Sequence, residues 1–423
     1  IKIPVWEDEE RRGRGTLVRS SAVSRDDLSE QLLFQSVQPT KPLPLSSHCA
    51  LLQCLEPCVN MLYKVLDSFL AIFVISPIVV GYWRGTWQLL DIYLFSDNLE
   101  MSAWTSLVFG LVSLILLYFF QFHLQMLADM CQNCMLFVLL TRTYTIVISF
   151  CCVNHWRGVW VLIDVYVGET WIVSISLICI GSIILGVFQT IKSIGAPPMF
   201  IVNDSEDNYF DTPTMYDVNL QNGKLTGLFF LDCFFSVAVI GSTAVVIWRG
   251  SWGLMDNLLY PDDEKASNLA SLCLGFSVTV IMYLLQPLVS YISRKVYKKM
   301  PMRVIFDVIV TYISFFGTIN IWRGVWNIAN IFLLTENHVL SNWVTHAGII
   351  TLILINAGNS IPVRGVGFDG DYCPQTGIYY NVEYCQHCYK CSSKQRKEVA
   401  SASSVELDEV SQQMYDQEGV TVV

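Results

Sequence analysis

Trp83-Arg84-Gly85-Thr86-Trp87 returns as Trp156-Arg157-Gly158-Val159-Trp160, as Trp248-Arg249-Gly250-Ser251-Trp252 and as Trp322-Arg323-Gly324-Val325-Trp326. Four residues past the second tryptophan stand Asp91, Asp164, Asp256 and Asn330. Eight of the twelve tryptophans fall in this frame, each time just after a long apolar run, so the chain reads first as a fourfold internal repeat. Ser-Ala-Trp104, Ser-Asn-Leu269 and Ser-Asn-Trp343 recur at one distance from copies one, three and four, and Gln121, Gln189, Gln286 and Asn359 mark the unit ends. The gap between copies is longest between the second and third, which groups them into two halves with the extra length at about Ile194 to Lys224.

Each unit contains two apolar stretches flanking the motif. Those near 62–82, 102–121, 135–154, 170–190, 226–247, 267–288, 303–321 and 343–363 are long enough to cross ~30 Å of hydrocarbon. The chain is 53% hydrophobic and 15% charged, and the stretches are apolar all round rather than on one face. A soluble protein with a large core does not fit that pattern. The expectation is an all-α integral membrane protein: eight transmembrane helices, built as four two-helix repeats in two tandem parallel halves. Residues 1–60 read as a disordered cytosolic tail and 61–193 as the first membrane half. Residues 194–225 read as an acidic connecting loop, 226–363 as the second half, and 364–423 as a Cys-rich, acidic cytosolic tail. No cleavable signal peptide is visible, and opening on Ile1 suggests missing N-terminal residues.

Arg294, Lys295, Lys298, Lys299 and Arg303 crowd one loop; Arg364, Lys390, Lys394, Arg396 and Lys397 follow the last apolar run. The positive-inside rule then puts both termini in the cytosol and the motifs outside, against a lone glycosylation sequon at Asn203.

On a helix, Trp83, Arg84, Trp87 and Asp91 project within about 100° of one another. Each copy is therefore expected to be a short helix at the outer interface, acting as a packing device between repeats. A ligand or ion site and a simple interfacial anchor are the alternatives. A second set, Asp67, Asp232 and Asp307, precedes three motifs, with Arg142 in the corresponding part of copy two. Charges inside spans need partners, and Arg142 against these acids is the expected pairing, either stabilising the bundle near the headgroups or forming part of an ion pathway. His123, His155, His338 and His346 lack metal-ligand spacing and read as polar loop residues.

The chain ends Val420-Thr421-Val422-Val423, where Thr421 and Val423 match the pattern that a PDZ groove reads. Cys385, Cys388 and Cys391, after the last apolar run, favour S-palmitoylation, with tetrahedral zinc as the alternative. No phosphate-cradling loop, nucleophile elbow or metal-hydrolase helix is found, so neither an enzyme nor a cofactor is expected. Nothing points to nucleic acid.

Eight spans with Trp-Arg-Gly-x-Trp after alternate spans, led by Tyr82–Trp87, resemble the fuseless family of animal multi-pass membrane proteins. The resemblance covers about residues 60–363. It implies a plasma-membrane protein of the presynaptic terminal that supports neurotransmitter release and calcium-channel organisation. Membrane lipid, a PDZ-domain scaffold, and channel or presynaptic proteins are then the expected partners. The other functional class left open is a transporter or channel built on parallel repeats.

Overall fold

The computed structural model describes residues 47–131, 134–202, 204, 209–217, 226–296, 300–370 and 385. Thr421, Val423, Cys388, Cys391 and Asn203 lie outside the described residues. By contact density the chain divides into residues 1–59, of which only the start of the first helix is described, and one unit from Asn60 onward.

Among the described residues the secondary structure is helical. Helix α1 (Ser47–Leu70) continues through a π turn (Ala71–Ile75) into α2 (Ser76–Tyr93), followed by α3 (Leu99–Phe119), α4 (Gln121–Met130), α5 (Cys134–Tyr166) and α6 (Trp171–Val187). The second half begins with α7 (Gly227–Phe235), which continues through another π turn (Ser236–Gly241) into α8 (Ser242–Leu258). It is completed by α9 (Glu264–Val296), α10 (Met300–Phe332), α11 (His338–His346) and α12 (Gly348–Leu354). Six helical stretches are long and apolar enough to cross a membrane, and two shorter ones, Trp171–Val187 and His338–Leu354, are also apolar.

The burial pattern is that of a protein solvated by lipid. Val112, Leu116, Ile183, Leu284, Ile309 and Ile350 are exposed, while Ser106, Thr145, Ser149, Ser271, Thr318 and Asn320 are buried. Apolar side chains lose nothing by facing hydrocarbon, whereas polar ones need partners inside the bundle.

The four motif helices (α2, α5, α8 and α10) run through the motif instead of stopping before it. Trp83 lies about ten residues before the end of α2, ~15 Å at the α-helical rise. The expectation of a short interfacial helix is therefore wrong: the motif belongs to the inner face of a long helix. After each motif helix the chain turns at a residue with positive φ, namely Phe95, Gly168, Tyr260 or Leu334. Asn98, Thr170, Asp263 and Asn337 then accept a backbone N–H three residues on and start the next helix.

Packing does not follow the hairpins that chain order suggests. The closest helix pairs are α3 with α5, α6 with α8, α9 with α10, and α11 with α2. Each returning helix lies against the motif helix of the next repeat, and the last lies against the first.

The stretches after α6 and α12 turn inward. Gln189 and Asn356 end these helices in the left-handed region, at φ 54° and 56°. The following N–H groups reach back to Leu185 and Leu352 at 2.9 and 2.8 Å, as in a Schellman stop. Ile191–Ile194 and Gly358–Ser360 then form single 3-10 turns, with Ile194 and Ile361 buried. The expected eighth span of 343–363 thus stops as a helix at Leu354. Much of the connecting loop also packs into the protein, with Asp204, Tyr209, Phe210, Thr212 and Thr214 buried.

Candidate functional site: a closed belt of tryptophan and arginine

The first tryptophans of the four motifs form a closed ring. Trp83 meets Trp156 at 5.3 Å between ring centroids, Trp156 meets Trp248 at 5.5 Å, Trp248 meets Trp322 at 5.2 Å, and Trp322 returns to Trp83 at 5.5 Å. Every contact is edge-to-face, the arrangement favoured by the aromatic quadrupole. The second tryptophans repeat this closer to the helix ends: Trp87, Trp160, Trp252 and Trp326 form a ring with neighbour distances of 5.8, 5.6, 6.0 and 5.8 Å. A square with such edges has its centre about 4 Å from each centroid, the distance at which one further atom would be in van der Waals contact. The axis between the repeats is narrowed by indole at two levels.

The arginines form a second circle outside the first. Arg157 Nε and Nη2 donate to Asp91 Oδ1 at 2.9 and 2.7 Å, and its remaining donors reach Ser102 and Ser106 on α3. Arg323 donates to Asp256 Oδ1 at 2.7 Å and to Ser267 and Ser271 on α9. Arg249 pairs with Asp164 and with Glu169, and stands 5.5 Å from the Trp160 ring. Arg84 closes the circle on Asn330 Oδ1 at 2.6 Å, with Ser341 and Thr345 of α11. Each arginine thus binds the preceding repeat, and the first binds the last. All four are buried, at 1, 0, 5 and 3% exposure for Arg84, Arg157, Arg249 and Arg323. A planar five-donor fork can satisfy a carboxylate and two hydroxyls from one position; a lysine ammonium has fewer donors and no plane.

The motif glycine makes this approach possible. A methyl at Gly158 would run into the backbone of Leu107, at Gly85 into Asn342 and His346, at Gly250 into Ser174, and at Gly324 into Leu272. All five neighbours lie on the returning helix of the preceding repeat, the last repeat standing before the first.

The second charged set meets loops rather than one another. Arg142 pairs with Asp204 at 2.5 Å and donates to Asn356, which corrects the expected pairing with Asp67, Asp232 or Asp307. Asp232 accepts from Thr214 Oγ1 and the Tyr216 N–H; Asp307 meets Lys192 at 3.1 Å and the Gly370 N–H; Asp67 accepts the Cys385 N–H. Sequence spacing alone did not reveal Asp204 and Asp369. Asp204 accepts the N–H groups of Gly358 and Asn359, while Asp369 accepts those of Ile191 and Lys192. The carboxylate from each stretch therefore caps the 3-10 turn of the other. Burial pushes both carboxyls above the usual range, against the pull of those N–H donors and of Arg142 or Lys192.

The two ends are joined through the inner indole ring. Trp248 Nε1 donates to Ile194 O at 2.8 Å, Trp83 Nε1 to Ile361 O at 3.0 Å, and Trp322 Nε1 to Pro197 O at 2.7 Å. The histidines are helical rather than loop residues: His155 bonds Ser242, and His346 bonds Thr86 and stacks on Tyr82. Among the described residues no cluster of His, Cys, Asp and Glu could hold a metal ion.

A family profile described as Fuseless matches residues 62–362. Comparison with curated proteins and with solved structures gave no match.

Proposed function

The chain belongs to the Fuseless family, and from that premise we propose that it is an eight-pass plasma-membrane scaffold that holds partners at a specialised membrane site. In this reading the six long helices, α6 and the α11–α12 pair make the eight crossings, arranged as two parallel halves. The positive-inside rule puts the motif ends outside and both termini in the cytosol. The family resemblance makes the site presynaptic, with neurotransmitter release and calcium-channel organisation as the processes served. The tails carry the contacts: Thr421 and Val423 to a PDZ-domain scaffold, and acylated Cys385, Cys388 and Cys391 to the bilayer. The protein is not an enzyme.

The observation that carries this reading is the closed indole belt. Parallel repeats around a central axis offer a natural pore, and here two rings of mutually contacting indoles constrict it with apolar surface. The reading is tested by reconstituting the protein in liposomes and measuring K⁺, Ca²⁺ and Cl⁻ flux, with flux no higher than in empty liposomes expected. Flux that scales with protein content would sink the scaffold. A tail peptide ending at Val423 should capture PDZ scaffolds, and Val423→Asp should abolish capture because it puts a charge into an apolar pocket. Equal recovery with both peptides would remove the tail from the proposal.

Transport along a path beside the axis is the second reading. The π turns of the first and third repeats favour it, since such turns recur at functional sites.

A further inference from the structure

Three of the four arginines in the belt face a carboxylate; the fourth does not. Asn330 stands where Asp91, Asp164 and Asp256 stand in the other copies. Among the described residues no carboxylate lies within ion-pair distance of Arg84, whose guanidinium is buried against Asn330, Ser341 and Thr345. A buried charge left without a counter-charge is costly, so the belt is electrically incomplete at this one seam.

The orientation of Asn330 is fixed by its neighbours. Its Oδ1 accepts from Arg84 Nε at 2.6 Å and from Gln88 Nε2 at 2.9 Å, so the amide oxygen faces two donors. Its Nδ2 group therefore points elsewhere, and among the described residues it has no partner. In the other copies the arginine takes one aspartate oxygen and leaves the second as an acceptor. Here an N–H donor replaces that acceptor. The seam thus combines an uncompensated positive charge with a free donor, near helix ends where Gln88 and Asn330 are half-buried.

We propose that a small inorganic anion, chloride in a physiological solution, binds at this seam on Asn330 Nδ2 and the second N–H of Gln88 Nε2, in the field of the hydrogen-bonded Arg84 guanidinium, and supplies the missing fourth negative charge. The site is independent of whether the protein is a scaffold or a carrier.

The test is thermal unfolding of the purified protein in phosphatidylcholine nanodiscs, titrated with chloride against gluconate at constant ionic strength. Saturating chloride should raise the melting temperature by ~2 °C or more. Asn330→Asp supplies the carboxylate from within, and should be at least as stable as the unmodified protein in gluconate and insensitive to chloride. Asp91→Asn should create a second seam with an uncompensated arginine but without the Gln88 donor, whose counterpart is Val161, and should therefore lower stability in both salts while enlarging the chloride effect by less than the first site contributes. Equal melting in the two salts would overturn the proposal. So would a chloride effect that persists in Asn330→Asp, which would place the anion elsewhere. Stabilisation by phosphatidylglycerol nanodiscs without any chloride effect would assign the anion to a lipid headgroup and overturn the chloride site.

Discussion

The motif end of this protein and its opposite end are held together by different rules. At the motif end the same contact is made four times around a circle: indole on indole, and arginine on the preceding repeat. At the other end contacts come in twos, with Asp204 capping the turn at Gly358 and Asp369 capping the turn at Ile191. The π turns also occur in twos, in repeats one and three, whereas the helices of repeats two and four run unbroken for 33 residues. A side chain on a repeated helix face meets the same surroundings in every copy. A loop meets whatever the chain path brings to it, and the path differs between the first and second repeat of each half.

Substitutions at six positions would break or sharpen that contrast. The largest effect is expected from Gly158→Leu, because the clash is with the Leu107 backbone on a packed helix, which cannot turn aside. Loss of the monodisperse peak in fluorescence-detected size exclusion is the expected result; normal recovery would mean that the α3–α5 contact is looser than described. Next comes Arg157→Met, which strands Asp91, Ser102 and Ser106. Removing one partner of a buried pair costs about 3–5 kcal/mol, and here the lower end applies because the Asp91 side chain is 41% exposed and can rehydrate. Arg157→Lys should recover only part of the lost melting temperature; full recovery would show that charge alone matters, not the planar fork.

At the opposite end, Asp369→Ala leaves the buried Ile191 N–H and the half-buried Lys192 N–H without an acceptor, at about 1–3 kcal/mol for the first and less for the second, which water can reach. The comparison predicts a similar loss for Asp204→Ala, with an added loss from stranding Arg142. A result in which only one of the two matters would break the twofold description. The smallest effect is expected where the two ends meet. Trp248→Phe keeps an aromatic ring but loses the bond to Ile194 O, worth about 1 kcal/mol. Trp252→Phe, in the second ring, should cost less. Thermal melting of the two variants side by side would decide it, and equal losses would show that the indole N–H contributes nothing.

The register of Trp, Arg, Gly and Asp is readable from the chain because all four lie within about two turns of one helix, where geometry is set by the 3.6-residue period. The family was readable for the same reason: its signature is local and repeated. Which residue answers each charge was not readable. Arg142 was matched to acids at similar repeat positions, yet its partner is Asp204, from an irregular stretch with no periodicity to place it. The burial of Ile194, Asp204, Tyr209, Phe210, Thr212 and Thr214 was missed likewise, because an acidic stretch without periodicity reads as solvated loop, whereas here Asp204 caps a turn.

By itself, then, the sequence determined that the chain repeats, that its helices are apolar all round, and that each motif presents one indole, arginine and carboxamide or carboxylate stripe. Only the tertiary structure decided that the fourth repeat closes on the first, that the indoles meet in rings around the axis, and that the two inward stretches cap each other. Periodicity is a property of one helix and survives in the letters. Closure depends on how several helices lie together, where each contact is chosen by its neighbour.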